Sequence, residues 1–167
     1  DPAFFANKQT LRDTKRSLYE GGIRVPTIME WRGTISAGVK SEFPSAFWDF
    51  MPTFVHLTHQ QKTWKQKTDG ISILPTLTGK SQQQPHKYLY WEFHEEGGRQ
   101  AVRVGDWKLI KQKIKSGNPT FELYNLKNDP FEKRDLSAEN KEIVRKLKKR
   151  MDKAHTPSEM FNFGIDK

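Results

Sequence analysis

Lys87-Tyr88-Leu89-Tyr90-Trp91-Glu92-Phe93-His94 decides how the chain is read, because it is aromatic and is followed at once by a turn at Gly97-Gly98. Gln100 to Val104 then reads as a short strand, Trp107 to Ile114 alternates in part, and Thr120 to Leu126 is another strand. Gly105-Asp106 and Ser116-Gly117-Asn118-Pro119 separate them. Each interruption has hairpin length, so the simplest product is a four-stranded antiparallel meander. Asn128-Asp129-Pro130 ends it. Ser137 is then expected to cap a final helix with Ile143, Val144, Leu147 and Met151 on one face. The opposite face carries Lys146, Lys148, Lys149, Arg150 and Lys153. That helix is expected to pack across the meander.

The chain before the meander reads differently, with a polar, lysine-rich boundary from Gln60 to Asp69. Ile23 to Trp31 is β-branched and apolar on both faces, which predicts a strand in the middle of an α/β sheet. Such a strand needs neighbours, and no convincing partner segment lies nearby. Asp49 is placed to cap a helix with Pro52 in its first turn. Phe47, Phe50, Met51, Phe54 and Val55 then form one apolar stripe, which needs a sheet face to cover. Gln82-Gln83-Gln84-Pro85 reads as a loop. The fold class is α/β, and α+β within this chain.

The 167 residues suffice for a domain with a real core. Mean hydropathy is low at −0.85. Yet 11 Phe, 5 Trp and 4 Tyr are too many for a disordered chain. No run approaches the ~20 apolar residues of a membrane span, so no membrane partner is expected. Asp1-Pro2-Ala3 shows no signal peptide. With no cysteine, disulfides, thiolate zinc sites and a Cys nucleophile are excluded from this chain. The net charge of +9 favours polyanions, without choosing between nucleic acid, anionic lipid and sulfated or phosphorylated ligands.

Several residues carry candidate chemistry. Lys15 precedes Tyr19-Glu20-Gly21-Gly22, whose glycines permit positive φ and close backbone approach, so its ammonium can reach an anion. The plainer reading is a surface lysine. His56 and His59 are three apart on a helix, but no third ligand for zinc accompanies them. His94-Glu95-Glu96 ends a strand at a turn, where a histidine can bind substrate or act as a general acid. The run from Lys108 to Lys115 with Trp107 has the composition of a nucleic-acid platform. No RNP-like, KH-like or helix-turn-helix pattern supports it, and no nucleic-acid partner is expected. No phosphate loop, G-x-S-x-G elbow or H-E-x-x-H occurs.

Leu11-Arg12-Asp13-Thr14-Lys15-Arg16-Ser17-Leu18-Tyr19-Glu20-Gly21-Gly22-Ile23-Arg24-Val25-Pro26 closely resembles the sulfatase family. Phe4-Phe5 fits the stretch before it in bacterial members. Trp31-Arg32-Gly33-Thr34-Ile35 is similar to the family's W-P-G-x-I, with Arg32 for the usual Pro. Trp48-Asp49-Phe50-Met51-Pro52-Thr53 and Asp69-Gly70-Ile71-Ser72-Ile73-Leu74-Pro75-Thr76-Leu77-Thr78-Gly79 resemble two further family stretches. So do Ala101-Val102-Arg103, Asp106-Trp107-Lys108-Leu109-Ile110, Glu122-Leu123-Tyr124-Asn125-Leu126 and Asp129-Pro130-x-Glu132, all in family order.

The resemblance implies the C-terminal part of a longer bacterial enzyme that hydrolyses sulfate esters. Residues 1–67 would end an alkaline-phosphatase-like catalytic domain. Residues 68–167 would form a C-terminal subdomain of antiparallel sheet and packed helix. It implies a formylglycine nucleophile from a C/S-x-P-S-R motif and a calcium ion, both upstream and neither bound by this chain. Glu42-Phe43-Pro44-Ser45-Ala46 has the Pro-Ser but neither nucleophile nor Arg. Lys15 matches the family lysine that contacts the sulfate ester. Arg24 and Glu20 match structural positions, while His94 and Arg99 lie in the part that rims the substrate pocket. The implied partners are a sulfated small molecule or glycan and the N-terminal catalytic portion. Self-association is expected if this chain stands alone, and the implied location is periplasmic or extracellular. The alternative is a non-catalytic basic module that binds sulfated glycans or other polyanions.

Overall fold

The structure is a computed structural model that describes residues 11–80 and 83–164. The readings of Asp1-Pro2-Ala3, Phe4-Phe5 and Gln82 lie outside the described residues. In chain order the elements are α1 (Glu20–Ile23), α2 (Phe50–Leu57), α3 (Leu74–Thr78), β1 (Leu89–Phe93), β2 (Arg99–Val104), β3 (Trp107–Gln112), β4 (Thr120–Asn125) and α4 (Lys141–Ala154). They form two compact units. One is Pro26–His86, and the other joins the described residues up to Val25 to those from Lys87 onward.

The discontinuous unit is built on the antiparallel sheet β1-β2-β3-β4, the expected meander. Register sets Val102 opposite Tyr90 and Leu109, and Leu109 opposite Leu123. Because successive strand residues point to opposite faces, each strand feeds two cores. Val102, Leu109 and Leu123 meet Leu147 and Met151 of α4, with Ile143 and Val144 alongside. Each such aliphatic burial contributes about 1.5–3 kcal/mol. Ala101, Ile110, Tyr124 and Leu126 meet Leu18 and Tyr19, so the segment before α1 covers the second face.

The final helix starts later than expected. It begins at Lys141 after Asn140. Ser137 is drawn instead into a turn on Asp135, donating its N–H at 2.8 Å and its hydroxyl at 3.0 Å to that carboxylate. The same carboxylate accepts the Leu123 N–H at 2.9 Å and so ties the turn to β4.

The expected strand from Ile23 to Trp31 is not formed. Ile23 closes α1, and residues 24–31 have no regular structure. Ile28 is 95% exposed. A strand buried on both faces must saturate its backbone with neighbours, and none is present among the described residues. Among the described residues before β1 no sheet edge is therefore exposed.

In the unit Pro26–His86 the helix after Asp49 forms as read, but Asp49 does not cap it by side chain. Its buried carboxylate instead accepts the N–H groups of Ala46 at 2.8 Å and Ile71 at 2.9 Å, and meets His86 Nε2 at 2.9 Å. Thr53 Oγ1, one turn on, accepts the Ile73 N–H at 3.0 Å. Two side chains of one motif thus fasten the backbone of the next. Gly70 is obligatory there, since a Cβ would lie 2.1 Å from the Trp48 carbonyl oxygen. The apolar stripe finds no sheet: Phe47 is 85% exposed, and Met51, Phe54 and Leu57 are also exposed.

Candidate functional site

The candidate site is the turn Thr14–Ser17, closed by the Ser17 N–H donating to the Thr14 carbonyl at 3.1 Å. Lys15 lies on it, exposed, with no hydrogen bond or ion pair among the described residues. Asp13 and Arg16 flank it in the left-handed region, with φ of 63° and 77°. Non-glycine residues pay for that conformation, so the turn has to be held by its surroundings.

It is held from several sides. The Gly21 N–H donates to the Arg12 carbonyl at 2.9 Å. A Cβ on Gly21 would sit 2.2 Å from the Asp13 carbonyl oxygen, and one on Gly22 2.2 Å from that of Ser17. The glycine pair therefore serves close approach; neither residue has positive φ. On the sheet side, the Arg12 guanidinium stacks 3.8 Å over the Tyr19 ring. It donates to the Tyr124 hydroxyl at 2.8 Å and to the Glu132 carbonyl at 2.7 Å. Tyr19 and Tyr124 both donate to Glu122 Oε2, at 2.5 and 2.6 Å. Burial first, and the Glu122 carboxylate second, push both phenols well above the usual tyrosine range.

Beneath α1 lies a buried ion cluster. Lys108, 0% exposed, donates to Glu20 Oε1 at 2.9 Å and lies 2.9 Å from Glu132 Oε1. Glu132 Oε2 accepts the Glu20 N–H at 2.6 Å. Burial pushes the Glu132 carboxyl up, against the pull of Lys108. Lys108 is thus no part of a basic surface, and the lysine run from Lys108 to Lys115 is not a single face. Glu20 is structural, as read.

Arg99 and His94 have internal partners. Arg99 Nη1 donates to the Arg16 carbonyl at 2.6 Å and Nη2 to Glu96 at 2.7 Å. His94 Nε2 meets Glu92 Oε2 at 3.0 Å, and its ring stacks on Phe163 at 4.1 Å. Its buried Nδ1 has no partner among the described residues. His155 Nδ1 meets the other oxygen of Glu92 at 2.5 Å, and Tyr90 donates to that oxygen as well. The three residues read from sequence are thus disposed differently: Lys15 is free, Arg99 braces its turn, and His94 belongs to a separate cluster with the C-terminal segment.

His56 Nδ1 meets Ser72 Oγ at 2.9 Å, while His59 stands in a left-handed position with φ of 59°. Among the described residues no group of three or more His, Cys, Asp or Glu is placed to hold a metal. No helix among the described residues is long and apolar enough to cross a membrane. Sequence reading missed Arg12, Lys108, Glu122 and Glu132 as the brace of the site. The signal was present in Glu122-Leu123-Tyr124 and Asp129-Pro130-x-Glu132, whose acidic members now have partners.

A family model described as N-sulphoglucosamine sulphohydrolase, C-terminal, matches residues 11–157. A sulfatase of Formosa agariphila is 34% identical over 147 residues, 80% of this chain and 26% of that protein. Human arylsulfatase D is 26% identical over 152 residues, 75% of this chain and 26% of that protein. The solved structure of Ps i-CgsB superposes with a TM-score of 0.71 at 30% identity, over 86% of this chain and 31% of the other. The same protein has been solved in complex with k-i-k-neocarrahexaose. The chain thus spans about a quarter of the length of these curated relatives, at 26% of each.

Proposed function

Since the chain belongs to the sulfatase family, matched over residues 11–157 by its C-terminal model, we propose that it is the C-terminal region of an enzyme that hydrolyses sulfate esters. In that protein residues 1–67 complete the catalytic domain and 68–167 form the C-terminal subdomain. This division concerns domain membership in the longer protein, whereas the two compact units concern packing within this chain. The formylglycine nucleophile and the calcium ligands belong upstream.

Lys15 contributes the charge that faces the sulfate. A sulfate ester carries negative charge on its free oxygens, and charge grows on the ester oxygen as the S–O bond breaks. A fixed ammonium at that place stabilises the transition state more than the ground state. One observation carries the assignment. Arg12 and Glu20 in the same motif are consumed by internal contacts, while Lys15 is presented, exposed, on a turn that the rest of the motif braces. His94 is assigned to the pocket rim as a substrate contact, and Arg99 sits at that rim as a brace of the Lys15 turn. The substrate is a sulfated small molecule or glycan; the carbohydrate complex of Ps i-CgsB supports the glycan. The location is periplasmic or extracellular.

In the full-length protein, Lys15→Ala is expected to lower kcat/KM on 4-nitrophenyl sulfate about 10²- to 10³-fold. Unchanged kcat/KM would remove Lys15 from the mechanism. The pure 167-residue chain is expected to be inactive with calcium present. Turnover by it would overturn the upstream placement of the nucleophile.

A further inference from the structure

We propose that Arg99 is a positioning residue that aims Lys15, acting through the backbone of the Lys15 turn rather than on the substrate. The inference rests on the role assigned to Lys15 above. Arg99 opens β2, and its register partner across the hairpin is Phe93. Its guanidinium lies 5.8 Å from the Phe93 ring centre, which restrains the long side chain from one side. Glu96 holds Nη2 at 2.7 Å from the hairpin turn. Nη1 is thereby aimed, and it reaches the Arg16 carbonyl at 2.6 Å, across 83 residues of sequence.

That carbonyl belongs to the residue directly after Lys15. Arg16 sits at φ 77°, where a non-glycine backbone is disfavoured unless something holds it. A charged forked donor on a carbonyl is a strong, directional bond. Its loss lets the peptide after Lys15 relax toward ordinary φ, and the ammonium swings with it. Among the described residues Lys15 itself has no side-chain partner to correct its aim. With two donor arms already engaged, on Arg16 and Glu96, Arg99 is poorly disposed to bind a sulfate as well.

The test is a double-mutant cycle in the full-length protein with 4-nitrophenyl sulfate. Lys15→Ala alone must lower kcat, and this control tests the underlying reading by itself. Arg99→Ala is expected to lower kcat about 10- to 100-fold with little change in KM, the size of effect that a small misplacement produces. In the Lys15→Ala background the same substitution should change kcat by less than about twofold, because its target is gone. Arg99→Lys, with one donor in place of the fork, should recover part of the loss. If Arg99→Ala fails to fold, Arg99→Lys carries the same cycle, with an expected kcat loss that also vanishes without Lys15. A raised KM at unchanged kcat, or a full effect that persists in the Lys15→Ala background, would show that Arg99 acts on substrate directly and overturn the inference. A neutral Lys15→Ala would instead fell the reading beneath it.

Discussion

Lys108 shows why residue identity is a poor guide to residue role. In sequence it is one lysine of a basic run. In the fold it is fully buried between two carboxylates, and its partners Glu20 and Glu132 are 112 residues apart. No local periodicity announces such a pairing. The energetics are lopsided: forming a buried ion cluster gains little over an apolar core, but removing one member strands a charge. Lys108→Met is therefore expected to cost about 3–5 kcal/mol of stability in urea unfolding, because two carboxylates then face each other. Glu132→Gln should cost much less. It leaves one lysine for one carboxylate and can still accept the Glu20 N–H. Equal unfolding midpoints for wild type and Lys108→Met would refute the account. Glu132 also sets a pH dependence. Its carboxyl is raised in the fold, so the folded state holds that proton longer. Its contribution to stability is largest below the ordinary value of 4.5 and declines as pH rises toward the folded value.

At the scale of elements, the four strands and the last helix were legible because their signals are local. Turn residues fall at hairpin spacing, and an apolar stripe repeats every third or fourth position. The stretch from Ile23 to Trp31 misled for the complementary reason. Its β-branched composition describes a buried strand, but composition does not supply the neighbours. The turn holding Lys15 was legible as a motif, while its brace was not, since Arg12, Glu122 and Arg99 come together only once the sheet exists. A second brace was equally hidden: the segment after α4 docks through His155 on Glu92 and Phe163 on the His94 ring. Gly98 makes room, because a Cβ there would lie 2.7 Å from Phe163. Burial pushes the Glu92 carboxyl up, but the bonds from Tyr90, His155 and His94 outweigh it and hold it below its ordinary value of 4.5. Asp152 on α4 is the further charge facing Tyr90. A depressed carboxyl stabilises above its unfolded value and loses that contribution as pH falls through the folded one. The protection factors of residues 155–164, hydrogen exchange corrected for its intrinsic pH dependence, are expected to fall below pH 4.5, and Glu92→Gln should flatten that acid response. An acid response of equal size in Glu92→Gln would place the sensitive group elsewhere.

For the whole molecule, the exposed stripe of Phe47, just before α2, with Met51 and Phe54 on α2 is the feature most out of keeping with a chain on its own. A contiguous apolar surface of this kind marks a place meant to be covered. We propose that the remainder of the longer enzyme covers it. The 167-residue chain alone is then expected to self-associate in analytical ultracentrifugation, and Phe47→Ser with Phe54→Ser to return it to monomer. A clean monomer of the unmodified chain at high concentration would refute this. The discontinuous unit has one more consequence, and it concerns synthesis. Residues up to Val25 leave the ribosome well before Lys108 and Glu132, and residues 26–86 emerge between them. Through that interval Glu20 has no lysine to meet, and Arg12 has neither Tyr124 nor the Glu132 carbonyl. The turn that carries Lys15 is thus among the earliest parts of this chain to be made and among the last to be fixed. Until translation passes residue 132 it stands open to proteases and chaperones.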